Sequence, residues 1–113
     1  MIQIYHNNRC GKSRNCLAFL EKSTLEFETI NYLVDAPTFD QLTTIIRKLK
    51  IEPLDLVRKK EIIWLEKYKL KIMSDNEIIQ AMIDNPLLIE RPILIFNDKA
   101  IIARDLDKLA NFL

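Results

Sequence analysis

An α/β fold, in the chain order β-α-β, then helices, then β-β-α, is predicted by three observations. The chain opens on a short apolar run, Ile2 to Tyr5, which breaks into polar turn residues ahead of an amphipathic helix. Its middle carries two capping signatures, Thr38 with Gln41 and Ser74 with Glu77, each followed by apolar residues at helical spacing. Its end holds two short strand-like runs on either side of Asn97-Asp98-Lys99 and then one more helical pattern.

Taken in order, the first helix is expected from about Ser13 to Glu21, with Cys16, Leu17 and Leu20 facing the core. A second strand over about Glu26 to Tyr32 is carried by Phe27, Thr29, Ile30 and Tyr32, residues that suit a pleated sheet. Behind Thr38 the spacing sets Phe39, Leu42, Ile45, Ile46 and Leu49 on one helical face. Pro53 opens a shorter helical turn through Leu56, since proline suits a first helical position. A helix over about Ile62 to Tyr68 offers Ile63, Trp64 and Leu65 as buried candidates, and the helix capped by Ser74 offers Ile78, Ile79, Met82 and Ile83. After Asn85-Pro86, the run Pro92 to Phe96 reads as a buried strand and Ala100 to Ala103 as its hairpin partner. The last helix begins near Asp105 and spaces Leu106, Leu109, Ala110 and Leu113. This order is a thioredoxin-like arrangement with a helical insertion, about residues 38–84, between the second and third strands. In that architecture the loop ending the first strand carries the reactive cysteine.

With 113 residues, 49% of them hydrophobic and 29% charged, the chain suits one globular domain over residues 1–113 with a modest core. A net charge of +1 argues against nucleic acid as a partner; the basic runs Arg47 to Lys50 and Arg58 to Lys60 could make a local patch, but the first of them reads as a solvated helix face. No stretch is long and apolar enough to span a bilayer and Met1 leads directly into the strand, so no membrane partner and a cytoplasmic location are expected.

Cys10 is delivered to the start of the first helix, where a reactive thiolate is favoured. Unpaired backbone N–H groups and the partial positive charge of the helix end stabilise the anion. Arg9, Lys12, Arg14 and the one histidine, His6, are candidate cations around it. Gly11, the chain's single glycine, allows close approach of the backbone to a ligand. The second cysteine, Cys16, reads as a small buried hydrophobe or a second thiol. Six residues of helix separate the two, roughly 9 Å of rise and about 240° of rotation, so a bridge between them requires unwinding.

Cys10-Gly11-Lys12-Ser13 places serine where a Cys-x-x-Cys pair would have its second thiol. A single thiolate in a cationic pocket attacks an electrophile such as a disulfide, a peroxide or an oxyanion, and an external thiol then regenerates it. The Cys-x5-Arg anion loop is excluded, because the sixth residue after Cys10 is Cys16. Three further arginines stand where elements end: Arg58, Arg91 and Arg104. Arg91 precedes Pro92, and a proline just ahead of a core strand is a candidate for a cis bond.

These residues resemble the glutaredoxin-linked arsenate reductase family over essentially the whole chain. The matching stretches are Ile4-Tyr5-His6-Asn7, Cys10-Gly11-x-Ser13-Arg14-Asn15, Tyr32-Leu33, Leu56-Val57-Arg58-Lys59, Asn85 to Ile93 around Arg91-Pro92, and Arg104. The resemblance implies a thioredoxin-like fold, Cys10 as nucleophile, Arg58, Arg91 and Arg104 as catalytic and oxyanion-binding residues, and thiolate support from His6, Ser13, Arg14 and Gly11. It implies arsenate or a similar oxyanion as substrate, glutathione as reducing co-substrate and glutaredoxin as partner, with no bound cofactor and no metal. The chain departs from the family pattern at Asn8, where proline is common, and at Asp105-Leu106 after Arg104. A similar fold occurs in Spx-type regulators that bind RNA polymerase; these carry the Cys-x-x-Cys that Ser13 removes here. A thiol reductase of another substrate is the third reading.

Overall fold

The computed structural model describes residues 1–7 and 9–113, and the departure at Asn8 lies outside the described residues. The chain forms two compact units, one of Met1–Asp35 with Arg91–Leu113 and one of Ala36–Glu90. The first carries a four-stranded sheet of order β2-β1-β3-β4, made of β1 (Ile2–His6), β2 (Phe27–Asn31), β3 (Ile93–Phe96) and β4 (Lys99–Ile102). Helices α1 (Gly11–Lys22) and α5 (Leu106–Phe112) complete it. The β1-α1-β2 crossover makes β1 and β2 parallel, whereas β3 runs antiparallel to both β1 and β4.

The apolar run of β1 is buried as the sequence expects, with Ile4 fully enclosed. Cys16 and Leu20 of α1 pack into one core with Ile2, Ile4, Leu94, Ala103 and Leu109. The helix begins two residues earlier than its apolar spacing indicates, because Cys10 itself takes the N-cap position and Gly11 is already helical. Strand β2 stops at Asn31, and Tyr32, expected as its last residue, is fully buried beyond the strand. In the hairpin, Lys99 pairs with Phe96, so the turn is Asn97-Asp98 and β4 ends at Ile102. Asn97 adopts φ 57°, a left-handed conformation that asparagine tolerates better than most residues. In α5 only Leu109 is fully buried; Leu106 and Ala110 are exposed.

The second unit holds the helical insertion: α2 (Phe39–Leu49), a 3-10 turn at Pro53–Leu56, α3 (Ile62–Lys67), α4 (Asp75–Asp84) and a 3-10 turn at Pro86–Leu88. Both capping boxes are formed, with Thr38 Oγ1 accepting from the Gln41 N–H at 3.1 Å and Ser74 Oγ accepting from the Glu77 N–H at 3.2 Å. Leu42, Ile45 and Ile46 are the buried face of α2. Expectation and structure part in α3, where Trp64 is buried but Leu65 is 46% exposed. Six residues make under two turns, and Trp64, stacked on Tyr68 at 5.6 Å between ring centres, occupies the single inward position. In α4 the small Ala81 takes a buried place and Ile83 is only half-buried.

Candidate active site

Cys10 sits at the junction of β1 and α1, and local hydrogen bonding explains its placement. Asn7, buried just after the strand, accepts the Cys10 N–H through its carbonyl at 3.0 Å and the Arg9 N–H through its side-chain oxygen at 3.0 Å. An asparagine that captures backbone N–H groups two and three residues on closes a tight turn. The Cys10 carbonyl then accepts the Arg14 N–H at 3.0 Å, the first bond of α1. No side chain caps this helix and no acidic residue lies in its first turn. Its N–H groups and positive dipole end are therefore left for an anion at Cys10. An asparagine directly after a strand is a turn signal, and here Asn7 supplies both acceptors of that turn.

Burial alone would raise the Cys10 thiol. It is outweighed by backbone hydrogen bonds from Ser13 and Lys12, then by the Arg91 charge and a hydrogen bond from the Arg91 side chain, and the thiol is held below its ordinary value. The cation that acts on the sulfur is thus Arg91, far along the chain, while Lys12 acts through its amide. Sheet register accounts for this. Pairing runs Gln3 with Ile95, Ile4 with Leu94 and Tyr5 with Ile93, so the residues ahead of Ile93 lie at the end of β1 from which the Cys10 loop leaves. The Arg91-Pro92 bond is cis, and the Pro92 carbonyl accepts the Ala103 N–H at 2.8 Å. Because Ile93 pairs with Ile102, Arg104 emerges at the same end of the sheet.

His6 and Ser13 lie beneath this loop, at 6% and 0% exposure. Burial lowers the His6 pKa, opposed by a backbone hydrogen bond with Ser13 and reinforced by the Arg14 charge, so the charged ring is disfavoured. Desolvation thus works against the positive charge that the sequence suggests for His6. Ser13 Oγ and His6 Nδ1 are buried with no hydrogen-bond partner among the described residues. A Cβ added at Gly11 would meet the end of the Arg14 side chain at 3.8 Å, an ordinary contact, and the glycine has no positive φ. Cys16 is fully buried, and burial pushes its thiol up to about 11.

Arg58 belongs to the second unit. Its N–H donates to the Leu88 carbonyl at 2.7 Å, and its guanidinium pairs with Glu61 at 2.9 Å and Glu90 at 3.8 Å. Among the described residues no group of three His, Cys, Asp or Glu side chains is placed to hold a metal ion, and no helix is long and apolar enough to cross a membrane.

The model of the ArsC family matches residues 5–112. A protein of Escherichia coli strain K12 named "Uncharacterized protein YfgD" is 40% identical over 107 residues, 91% of this chain and 88% of the relative. The arsenate reductase of Neisseria meningitidis serogroup A is 34% identical over 110 residues, covering 96% of this chain and 94% of that protein. Among solved structures, an arsenate reductase from Vibrio cholerae superposes with a TM-score of 0.93 at 33% identity, over 99% of this chain and 97% of that one. A match over nearly the full length, a thioredoxin-like architecture and a cysteine held at the first helix's N-cap agree on one assignment: the chain belongs to the ArsC family.

Proposed function

We propose that this protein reduces arsenate, or a similar oxyanion, to its trivalent acid through a covalent adduct on Cys10. The observation that carries the reading is the hydrogen-bonded environment of Cys10, in which two backbone amides and the Arg91 guanidinium hold the thiol below its ordinary value. A thiolate of this kind is a nucleophile at neutral pH, and donors aimed at one point also suit the oxygens of a bound oxyanion. The thiolate displaces an oxygen of arsenate as water; glutathione then attacks the adduct, and glutaredoxin reduces the mixed species and releases arsenite. The two electrons come from thiols, which end as a disulfide. Cys16, buried and with a raised thiol, is unsuited to resolve the adduct, which favours an external thiol. Arg91 and Arg104 hold the oxyanion, with Ser13, His6, Gly11 and Arg14 supporting the thiolate. The same role for Arg58 rests on the family resemblance, as does a cytoplasmic location.

Steady-state arsenate reduction with glutathione and glutaredoxin tests this. Cys10→Ser should abolish turnover. Arg91→Ala and Arg104→Ala should each lower kcat/KM on the order of 10²-fold, with unchanged circular dichroism. Lysine at these positions should rescue only part of the loss, since it keeps the charge without the planar fork. Should the arginine variants all keep near wild-type kcat/KM, the oxyanion reading fails.

A further inference from the structure

We infer that Arg9 is a specificity-determining residue that selects an anionic thiol or disulfide as the exchange partner of Cys10. The inference rests on reading Cys10 as a nucleophile discharged by an external thiol, and it names the charge class of that thiol. From Met1 through Leu20 the chain has no Asp or Glu, although sixteen acidic residues follow in the remainder. Arg9 and Lys12 flank Cys10 in sequence, are solvent-exposed and make no ion pair among the described residues. A half-buried sulfur with exposed, uncompensated cations beside it attracts an incoming anion and repels an incoming cation.

Arg9 is also built into the loop. Its N–H is held at 3.0 Å by the side chain of buried Asn7, whose carbonyl holds the Cys10 N–H, so one residue fixes the backbone of both. The groups that depress the Cys10 thiol are the amides of Ser13 and Lys12 and the side chain of Arg91; Arg9 is not one of them. Its exposed charge stands where an arriving reagent meets it on the way to the half-buried sulfur. A residue so placed discriminates among reagents by charge.

Thiol–disulfide exchange on the whole protein tests this without arsenate. The Cys10 thiolate attacks a reagent disulfide, the reagent S–S bond breaks, a Cys10–S–S–R bond forms and one reagent thiolate leaves, with no other oxidant or reductant. Stopped-flow rates are compared for wild type, Arg9→Ala and Arg9→Glu with three reagents: dianionic dithiobis(nitrobenzoate), neutral bis(2-hydroxyethyl) disulfide and dicationic cystamine. At low salt, Arg9→Ala should slow the dianion about 2- to 5-fold and Arg9→Glu on the order of 5- to 20-fold, for unit charges separated by about 8 Å in water. The neutral rate should hold and the cystamine rate should rise. Differences between reagents should collapse toward 1 M salt. Equal changes for all three reagents, or no change for any, would overturn the inference. Charge selectivity without arsenate turnover would instead remove the arsenate reading and leave this one standing.

Discussion

Cys10 and Cys16 carry the same side chain on one short stretch, yet their surroundings drive them in opposite directions. Iodoacetamide at neutral pH should label Cys10 and leave Cys16 unmodified until the protein unfolds, as peptide mapping would show. Arg91→Ala should raise the Cys10 pKa, read from thiolate absorbance against pH, since it removes both a charge and a hydrogen bond. The sign of linkage differs between the two thiols. A depressed pKa, as at Cys10, stabilises the fold above the unfolded thiol's pKa, and that contribution is lost as pH falls through the folded value. Cys16 is the reverse: its contribution is present below the unfolded thiol's pKa and is lost as pH rises toward about 11. Cys16→Ala should thus cost about 1 kcal/mol at neutral pH. Urea midpoints should show that gap narrowing as pH climbs toward 11, and a constant gap would contradict the assignment. Gly11→Ala separates fold from ligand approach. With only a 3.8 Å contact to Arg14, thermal stability should be unchanged or slightly raised, so any fall in activity reports crowding of the substrate.

At the level of single elements, caps explain which helices are locally encoded. Helices α2 and α4 each close a reciprocal box, so Thr38→Ala and Ser74→Ala should each cost about 1 kcal/mol in chemical denaturation. Helix α1 has no such cap, since its first N–H groups serve the sulfur instead. At the far end of α2, Lys50 is left-handed with φ 57°, a conformation that costs a side chain with a Cβ roughly 1 kcal/mol or more. Lys50→Gly relieves that strain and should raise stability by up to about 1 kcal/mol, measured against wild type in the same denaturant.

Across the whole molecule, what a residue contributes follows its burial more than its type. Leu94 is fully enclosed in β3, between β1 and β4, and Leu94→Ala should cost about 2–5 kcal/mol. Leu70 is 95% exposed, and Leu70→Ser should change stability by less than about 0.5 kcal/mol. Thermal unfolding of the pair checks both, and a large loss from Leu70→Ser would mean that an unseen contact covers it.

The sequence by itself determined the order of elements, the capped starts of α2 and α4, and the position of Cys10 where β1 gives way to α1. Each is encoded within a few residues: Thr38 reaches Gln41, Ser74 reaches Glu77, and Asn7 reaches Arg9 and Cys10. Only the tertiary structure decided which cation meets the thiol. Arg9 and Lys12 flank Cys10 in sequence, but it is the β1–β3 register that brings Arg91 to the sulfur. It also decided that burial disfavours the charged His6 ring and raises the Cys16 thiol, and that Leu65 and Leu106 stand exposed while Ala81 is buried. Periodicity identifies an apolar face but not what covers it. Desolvation and Coulomb terms depend on where distant strands cross, and no local pattern in the chain contains that information.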